Sequence, residues 1–131
     1  MSEQDNTQLV QEVYDNFNAG NIEALLGALA DDIEWVLPDM PKVPFSGARR
    51  GRDSVAAFFS AVAEHQEPKS FDVQGIIAQG DRAVAFGHYA WHVKSTGRDF
   101  ESDFAHIFTV EAGRITRFHE YTDTAAATAA Y

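Results

Sequence analysis

The feature that most constrains the fold is a run of four strand-like segments in the second half of the chain, each joined to the next by a short turn. Apolar and polar residues alternate in the segments, and a glycine lies in each of the three turns. Strands joined by turns this short pair antiparallel, so the sequence predicts a four-stranded meander. The predicted strands are 71–78, 83–93, 100–110 and 115–122.

The first half of the chain shows helical periodicity instead. Gly20 can end a first helix, Asn21 can cap a second, and Asp53 can cap a third. Helices followed by an antiparallel meander predict an α+β fold, with the three helices packed on one face of a curved sheet. The predicted elements are helices at about 9–17, 22–29 and 53–62, a short strand at 33–37 and a proline-rich loop at 38–47.

Length and composition favour one domain with a substantial core. A chain of 131 residues suffices for one core and is short for two, so we expect a single domain over residues 1–131. Hydrophobic residues make up 45% of the chain and ten residues are Phe, enough for a core or an apolar cavity. The alanine-rich stretch 125–130 is either a short helix or a flexible tail, and Asp123 before it is expected to cap it rather than lie at a cavity mouth.

Charge and motifs exclude several classes of partner. A formal net charge of -10 repels a phosphate backbone, so no nucleic-acid partner is expected. The absence of cysteine excludes disulfides and thiolate chemistry, and no apolar run approaches the length of a membrane span, so we expect a cytoplasmic protein without a membrane partner. The glycines and arginines of 47–51 lack the spacing of a phosphate-binding loop, and no cofactor is expected.

The predicted turns fix a register for the meander. Residues 111–113 fit a three-residue loop with a left-handed glycine, and 96–97 fit a two-residue turn. Counting outward from these turns assigns each strand residue to a partner and to one of the two faces of the sheet. The predicted pairs include Val110 with Arg114, His106 with Phe118, and Tyr89 with Phe104.

This register brings a carboxylate and an imidazole together on a largely aromatic face. Glu120 and His106 lie on adjacent strands one row apart, roughly 5.5 to 8 Å between Cβ atoms. Such a pair in an aromatic cavity supports acid/base chemistry, since its environment shifts the pKa of both groups. A buried hydrogen-bonded pair that only stabilises the sheet has the same composition, so both interpretations stand at this point.

The opposite face of the meander carries the remaining strand histidines among small residues. His88 and His92 lie about 13 Å apart along one strand, and the strand of Ala105 separates His88 from His119. These histidines therefore do not predict a metal site. A flat, mixed face of this kind favours a sheet-to-sheet contact in a homodimer. The register does not decide whether Asp103 faces the cavity.

Three stretches, in the order of elements predicted above, carry a resemblance to a known family. They are YDNFNAGNIEALLGALADDIEW, PFSGARRGRDSVAAFF and FAHIFTVEAGRITRFHEYTD. With them the chain resembles, over nearly its whole length, the nuclear transport factor 2-like superfamily, and within it the SnoaL-like and steroid-isomerase-like groups. The resemblance implies a cystatin-like cone, in which helices and a curved sheet enclose a cavity for a small molecule.

Two catalytic sets known in the superfamily do not carry over to this chain. The tyrosine and two aspartates of steroid isomerases align with Val13, Phe104 and Leu37. The Asp-Arg-Asp set of limonene-epoxide hydrolases aligns with Tyr89, Gly87 and Glu120. The resemblance therefore does not imply isomerisation or epoxide hydrolysis by either set.

A third set does carry over. SnoaL-type polyketide cyclases use an aspartate on the last strand and a histidine on the strand before it, and these align with Glu120 and His106. The resemblance implies a cofactor-independent acid/base enzyme of isomerase, cyclase or hydrolase type, acting on a small hydrophobic, carbonyl-bearing compound. Glu120 would be the acid or base, His106 would orient it or share the proton, and Tyr89 would donate a hydrogen bond to a substrate oxygen.

A non-catalytic ligand carrier or dimerisation module, with a structural Glu-His pair, is the alternative. In either case the predicted cavity walls are Trp35, Leu37, Trp91, Phe104 and Phe118.

Overall fold

The computed structural model describes residues 2–131 and, over that range, contains four helices and six strands. No helix within residues 2–131 is both long enough and apolar enough to cross a membrane. The helices are α1 (Glu3–Asn18), α2 (Ile22–Gly27), α3 (Arg52–His65) and α4 (Thr124–Ala130). The strands are β1 (Leu29–Val36), β2 (Ala48–Arg50), β3 (Gln66–Gln79), β4 (Arg82–Val93), β5 (Asp99–Glu111) and β6 (Arg114–Thr122).

All six strands belong to one curved sheet, in the order β2-β1-β6-β5-β4-β3. The predicted α+β fold and the antiparallel meander β3 to β6 are confirmed. Outside the meander the sheet contains one parallel pairing, because β1 pairs parallel with β6. This pairing joins residues some 80 positions apart, so no local turn signal announces it. The three-residue strand β2, paired with β1, was also not predicted.

The register of β5 and β6 differs from the predicted one. Ala112 and Gly113 both have positive φ, 51° and 76°, and form a two-residue turn that pairs Glu111 with Arg114. A turn of this length alone would reverse the inward and outward faces of β6. An irregularity between Thr109 and Val110 leaves Thr116 as an extra residue and restores them.

All three predicted cross-strand pairs are therefore wrong, although the predicted faces are right. His106 lies opposite Glu120 itself, not opposite Phe118. At the preceding turn, Val93 and Arg98 close a longer loop than predicted, with Val93 N donating to the Arg98 carbonyl at 2.8 Å. Tyr89 consequently lies opposite Ser102 and not Phe104. The shifts at His106 and Tyr89 each equal two residues, so inward side chains stay inward.

The helices begin and end at identifiable residues, with two differences from prediction. Ser2 and Asp5 form a reciprocal capping box at the start of α1, and Asn21 caps α2 through a bond to Ala24 N. Helix α2 ends at Gly27, because Leu29, predicted to be its last buried residue, begins β1. The residue before α3 is Gly51, with φ of 89°, and Asp53 lies within the first turn instead of capping it.

The core lies between the helices and the concave face of the sheet. Val10, Leu25, Ile33 and Val55 are essentially inaccessible to solvent and join α1, α2, β1 and α3. Irregularities between Pro68 and Ser70 and between Val73 and Gly75 bend the long strand β3 around them. Bending of this edge helps to give the sheet its concave face.

The alanine-rich end of the chain forms helix α4, which was one of the two predicted alternatives for this stretch. Asp123 accepts a hydrogen bond from Ala126 N at 3.0 Å and caps the helix, as expected. Thr96 and Arg98, both in or next to the β4–β5 loop, donate to the carbonyls of Ala130 and Ala129. These bonds hold α4 against the end of β5.

Candidate functional site

A cavity lies between the concave face of the sheet and the helices. Its volume is about 90 Å³, counted as the space that the centre of a water molecule can reach, and it has room for a small organic molecule. Aromatic and aliphatic side chains form most of its wall, including Leu37 and Phe45 from the loop after β1 and Ala127 and Tyr131 from the end of the chain. Within residues 2–131, its lining contains one carboxylate, Glu120, and neither Lys nor Arg.

Three polar side chains form a continuous hydrogen-bonded chain in this wall. His106 Nε2 lies 2.7 Å from Glu120 Oε2, and His106 Nδ1 lies 2.6 Å from Tyr14 Oη. The side chains of His106 and Glu120 are only 5% and 13% exposed. Strands β5 and β6 supply the imidazole and the carboxylate, and helix α1 supplies the phenol, so three separate elements fix the geometry.

The direction of these bonds follows from the ionised form of Glu120. An ionised carboxylate can only accept, so His106 donates its Nε2 proton to it. In a neutral imidazole the other nitrogen is then an acceptor, and Tyr14 donates its hydroxyl proton to Nδ1. The chain Tyr14 to His106 to Glu120 thus couples a phenol to a carboxylate through an imidazole, an arrangement that can move or share a proton.

Burial keeps the cavity phenols protonated. Desolvation, and then the negative charge of Glu120, raise the pKa of Tyr14 well above its ordinary value. The same two causes, in the same order, raise the pKa of Tyr89. Both side chains are therefore hydrogen-bond donors at neutral pH, and both lie near enough to Glu120 to sense its charge.

Tyr89 belongs to a second hydrogen-bonded chain beside the first. Its hydroxyl donates to Thr122 Oγ1 at 2.6 Å, and Thr122 Oγ1 donates to Ser102 Oγ at 3.2 Å. Ser102 Oγ also accepts from Asp123 N at 3.0 Å, which ties the start of α4 to this chain. The structure thus places Tyr89 at the cavity wall with its proton already engaged.

Four of the five predicted wall residues line the cavity, namely Trp35, Leu37, Trp91 and Phe118. The fifth, Phe104, is buried behind the polar residues: its ring lies 4.9 Å from that of Tyr89 and 4.5 Å from that of His106, between centroids. Phe104 therefore supports the two polar rings.

Tyr14 is the functional residue that sequence reasoning missed. The alignment with steroid isomerases placed their helix tyrosine at Val13, and the structure offers a phenol one residue further on. Val13 and Tyr14 both line the cavity, and both belong to the apolar stripe of α1. The available signal was that Tyr14 is the one side chain of that predicted stripe with a polar group.

Trp35 forms a large part of the wall next to this polar group. Its ring stacks on Phe118, its direct partner in the neighbouring strand, with centroids 3.9 Å apart and planes at 15°. Phe58 and Phe59 of α3 pack against it with centroids 5.6 and 5.5 Å away. Among the described residues its buried Nε1 has no hydrogen-bond partner.

Other histidines lie on the outer face of the sheet, as predicted. His88 Nδ1 lies 2.9 Å from Asp103 and His92 Nδ1 lies 2.7 Å from Asp99, in pairs that solvent reaches. Asp103 thus faces away from the cavity. No group of three or more histidine or acidic side chains in residues 2–131 is placed to hold a metal ion.

Comparison with known proteins gives a consistent picture. The profile of the SnoaL-like domain matches residues 10–118. An NTF2-like protein from Burkholderia xenovorans LB400 is 35% identical over 99% of this chain and 98% of its own, with a TM-score of 0.90. No curated protein matches the chain significantly.

Two further similar structures carry more specific names. TerC, in a structure co-crystallised with polyporic acid, is 28% identical over 94% of this chain and 95% of its own, with a TM-score of 0.78. A protein from Xanthomonas campestris pv. campestris, named as a candidate polyketide cyclase, is 26% identical over 97% of this chain and 96% of its own, with a TM-score of 0.83.

Proposed function

The chain belongs to the SnoaL-like family, and from this premise we propose that its cavity binds a small, neutral, carbonyl-bearing molecule and transfers a proton on it. The observation that carries the proposal is the buried chain of Tyr14, His106 and Glu120, which ends on a carboxylate in the wall of an apolar cavity. No step in the reaction needs a cofactor.

The cavity selects for charge and shape. Because neither Lys nor Arg in residues 2–131 lines it, an anionic ligand would be buried without a countercharge. Flat aromatic walls such as Trp35 and Phe118 favour a ring system, whose burial supplies most of the binding free energy. The ligand class is therefore a neutral cyclic ketone or a related compound.

Glu120 is the proton acceptor in the proposed reaction. Its Oε2 is held by His106, and its carboxylate removes a proton from the carbon next to the carbonyl group. The electron pair of the broken C–H bond forms a C=C bond, and the π pair of the carbonyl group moves onto its oxygen, which gives an enolate. Return of the proton from Glu120 to a different carbon of a conjugated enolate gives isomerisation. Attack of the enolate carbon on a second carbonyl gives cyclisation, and the proton on Glu120 then passes to the new alkoxide oxygen.

His106 and Tyr14 position the carboxylate. His106 donates its Nε2 proton to Glu120 Oε2, and Glu120 takes up the substrate proton on its other oxygen, Oε1. His106 therefore orients the base and does not share the substrate proton, because its Nε2 already carries a proton and its Nδ1 accepts from Tyr14. Tyr14 fixes the imidazole ring from the other side, because its hydroxyl bonds Nδ1 at 2.6 Å. Tyr89 is proposed as the donor to a second oxygen in substrates that carry one, and its hydroxyl proton then leaves Thr122 Oγ1.

Similar proteins support the same class of ligand and reaction. The one named as a candidate polyketide cyclase agrees with the proposed class of reaction, and TerC, co-crystallised with polyporic acid, is a similar protein whose structure was determined with a small organic molecule.

Hydrogen exchange on 2-tetralone, a neutral bicyclic ketone with acidic protons next to its carbonyl, tests the proposal. In D₂O the protein should accelerate loss of these protons from the NMR spectrum, and Glu120→Gln should reduce the acceleration by roughly a hundredfold or more, the range of general base catalysis. Glu101→Gln, which changes an exposed carboxylate of the outer face in the same way, is the matched control and should keep the wild-type rate.

A ligand carrier is the second candidate function. It is favoured by the mutual hydrogen bonding of Tyr14, His106 and Glu120, since a purely structural group would be satisfied in the same way. A carrier would bind 2-tetralone without accelerating its exchange. Binding with the background exchange rate in the wild-type protein would therefore reject the acid/base role and retain the carrier.

We also propose that two copies of the chain associate through the outer face of the sheet. Two adjacent cross-strand rows there are largely apolar, and Ile77, Phe86 and Tyr121 in them are 63%, 38% and 51% exposed. The rows are Ile77, Val84, Ile107 and His119, and Gly75, Phe86, Ala105 and Tyr121. Contiguous apolar area of this kind is typical of an interface. Light scattering should give the mass of a dimer for the wild-type protein and the mass of a monomer for Phe86→Glu. A wild-type monomer at about 100 µM would reject the contact, because stable dimers dissociate only well below that concentration.

A further inference from the structure

The indole N–H of Trp35 is a fully buried donor in the cavity wall that has no hydrogen-bond partner among residues 2–131. Trp35 is 3% exposed, its ring lines the cavity, and its Nε1 has no hydrogen-bond partner among residues 2–131. An unsatisfied buried donor is uncommon, since it forfeits a bond to water without gaining another. Such a donor in a binding cavity calls for a partner from the ligand.

The tyrosine hydroxyls of the cavity do not compete for that role. Tyr14 and Tyr89 donate within their hydrogen-bonded chains, and Tyr131 Oη donates to Gln66 Oε1 at 2.5 Å. A ligand oxygen that took any of these protons would break an existing bond. An oxygen that accepts from Trp35 breaks none, so its hydrogen bond contributes in full.

We propose that Trp35 is a specificity-determining residue whose Nε1–H donates to the carbonyl oxygen of the ligand. This assignment rests on the proposed function, because it takes the cavity as the site of a small carbonyl compound. It gives the oxygen a donor separate from the group that moves the proton.

The positions of Trp35 and Glu120 fit one small molecule. Trp35 lies beside Phe118 in the sheet, and Glu120 follows Phe118 by two residues on the same face, about 7 Å along the strand. A compound of one or two fused rings spans this separation. The indole cannot turn away easily, because Phe118 covers one face of it and Phe58 and Phe59 pack around it.

The first test observes the indole proton itself. The chain contains two tryptophans, so an ¹H–¹⁵N spectrum should show two indole signals, and Trp91→Phe identifies that of Trp35 as the one that remains. 2-Tetralone should move the Trp35 indole proton downfield, whereas tetralin, the same bicycle without the carbonyl, should not. Equal responses to the two compounds, or a carbonyl-dependent response of Trp91 alone, would overturn the assignment.

The second test measures affinity. The ratio of the affinity for 2-tetralone to the affinity for tetralin should be roughly three- to tenfold larger in the wild-type protein than in Trp35→Phe. This fold-change corresponds to one net hydrogen bond. Trp91 lines the same cavity and is also nearly buried, so Trp91→Phe is the matched control and should keep the wild-type preference. If Trp35→Phe does not fold, the indole signal of the wild-type protein still decides.

The two proposals fail in different ways. Tight binding of both compounds with the same affinity, and an indole signal that ignores the carbonyl, would reject only the role of Trp35. Absence of binding for both compounds would reject the ligand class of the proposed function, and the role of Trp35 with it.

Discussion

The two faces of the sheet carry the same chemical pair in opposite surroundings. On the inner face, His106 lies 2.7 Å from Glu120, with side chains 5% and 13% exposed. On the outer face, His92 lies 2.7 Å from Asp99, with side chains 35% and 46% exposed. Distance and residue type hardly differ, so what separates a candidate site from a surface ion pair here is burial.

Burial changes what each pair can do. Water and salt screen the outer pair, so its contribution to stability is small. The inner pair is screened far less, and it has a third member, because Tyr14 bonds the imidazole nitrogen that Glu120 leaves free. A closed chain of three groups next to a cavity restricts where the proton can go, which the exposed pair does not.

The largest effect expected from this difference concerns the two histidines. His106→Ala removes a buried ring and leaves Tyr14 and Glu120 without their shared partner, so it should lower the free energy of unfolding by about 3 kcal/mol. His88→Ala, on the same sheet but exposed, should change it by no more than about 0.5 kcal/mol. Urea denaturation measures both values, and similar losses for the two variants would show that burial does not separate the faces.

A smaller effect is expected for the two tyrosines. Tyr14→Phe removes one hydroxyl group and leaves His106 Nδ1 without its donor, which should cost about 1 to 2 kcal/mol. Tyr121, which is 51% exposed on the outer face of one copy, offers the matched change. Tyr121→Phe keeps the ring that the proposed contact between copies uses, and it should be nearly neutral. The unfolding midpoints of the two variants give the comparison, and a neutral Tyr14→Phe would mean that the third member adds nothing.

Sequence reasoning recovered the sheet because face assignment tolerates certain errors. Both predicted registers were displaced by two residues, and a displacement by an even number keeps each side chain on its face. The turn at Ala112 and Gly113 has two residues where three were predicted, and this difference alone would reverse the faces of β6. Only the extra residue Thr116 restores them. Short-range patterns contain no signal for that compensation, so the correct faces of β6 depended on an irregularity that was not predicted.

The candidate site was less accessible to the same reasoning. Glu120 and His106 follow from a local turn, and alternation along two strands suffices to bring them together. Tyr14 joins them from position 14, across 92 residues, and the parallel pairing of β1 with β6 sets Trp35 beside Phe118. Contacts between distant segments depend on how the helices and sheet pack, and no pattern within one segment determines this.

The smallest effect, which sharpens the contrast most, concerns the pKa of Asp99. Hydrogen bonds from Lys69 and from His92 hold this pKa below its ordinary value of 3.8, although the group is exposed. Because the folded-state pKa is lowered, the contribution to stability is present above about pH 4 and is lost as pH falls through the folded value. Lys69→Gln should raise the pKa of Asp99, whereas Lys94→Gln, whose ammonium bonds the Ala63 carbonyl instead, should not.

Salt provides the decisive control for this last prediction. At about 1 M NaCl the screening length is roughly 3 Å, so the lowered pKa of Asp99 should move towards 3.8 in a carboxyl-carbon NMR titration. The stability difference between the wild-type protein and His106→Ala should keep its value in the same salt, since Glu120 and His106 are shielded from it by burial. If the same salt reduced the stability difference for His106→Ala in the proportion in which it reduces the pKa shift of Asp99, the two faces would not be distinct. The inner pair would then be as accessible to ions as the outer one.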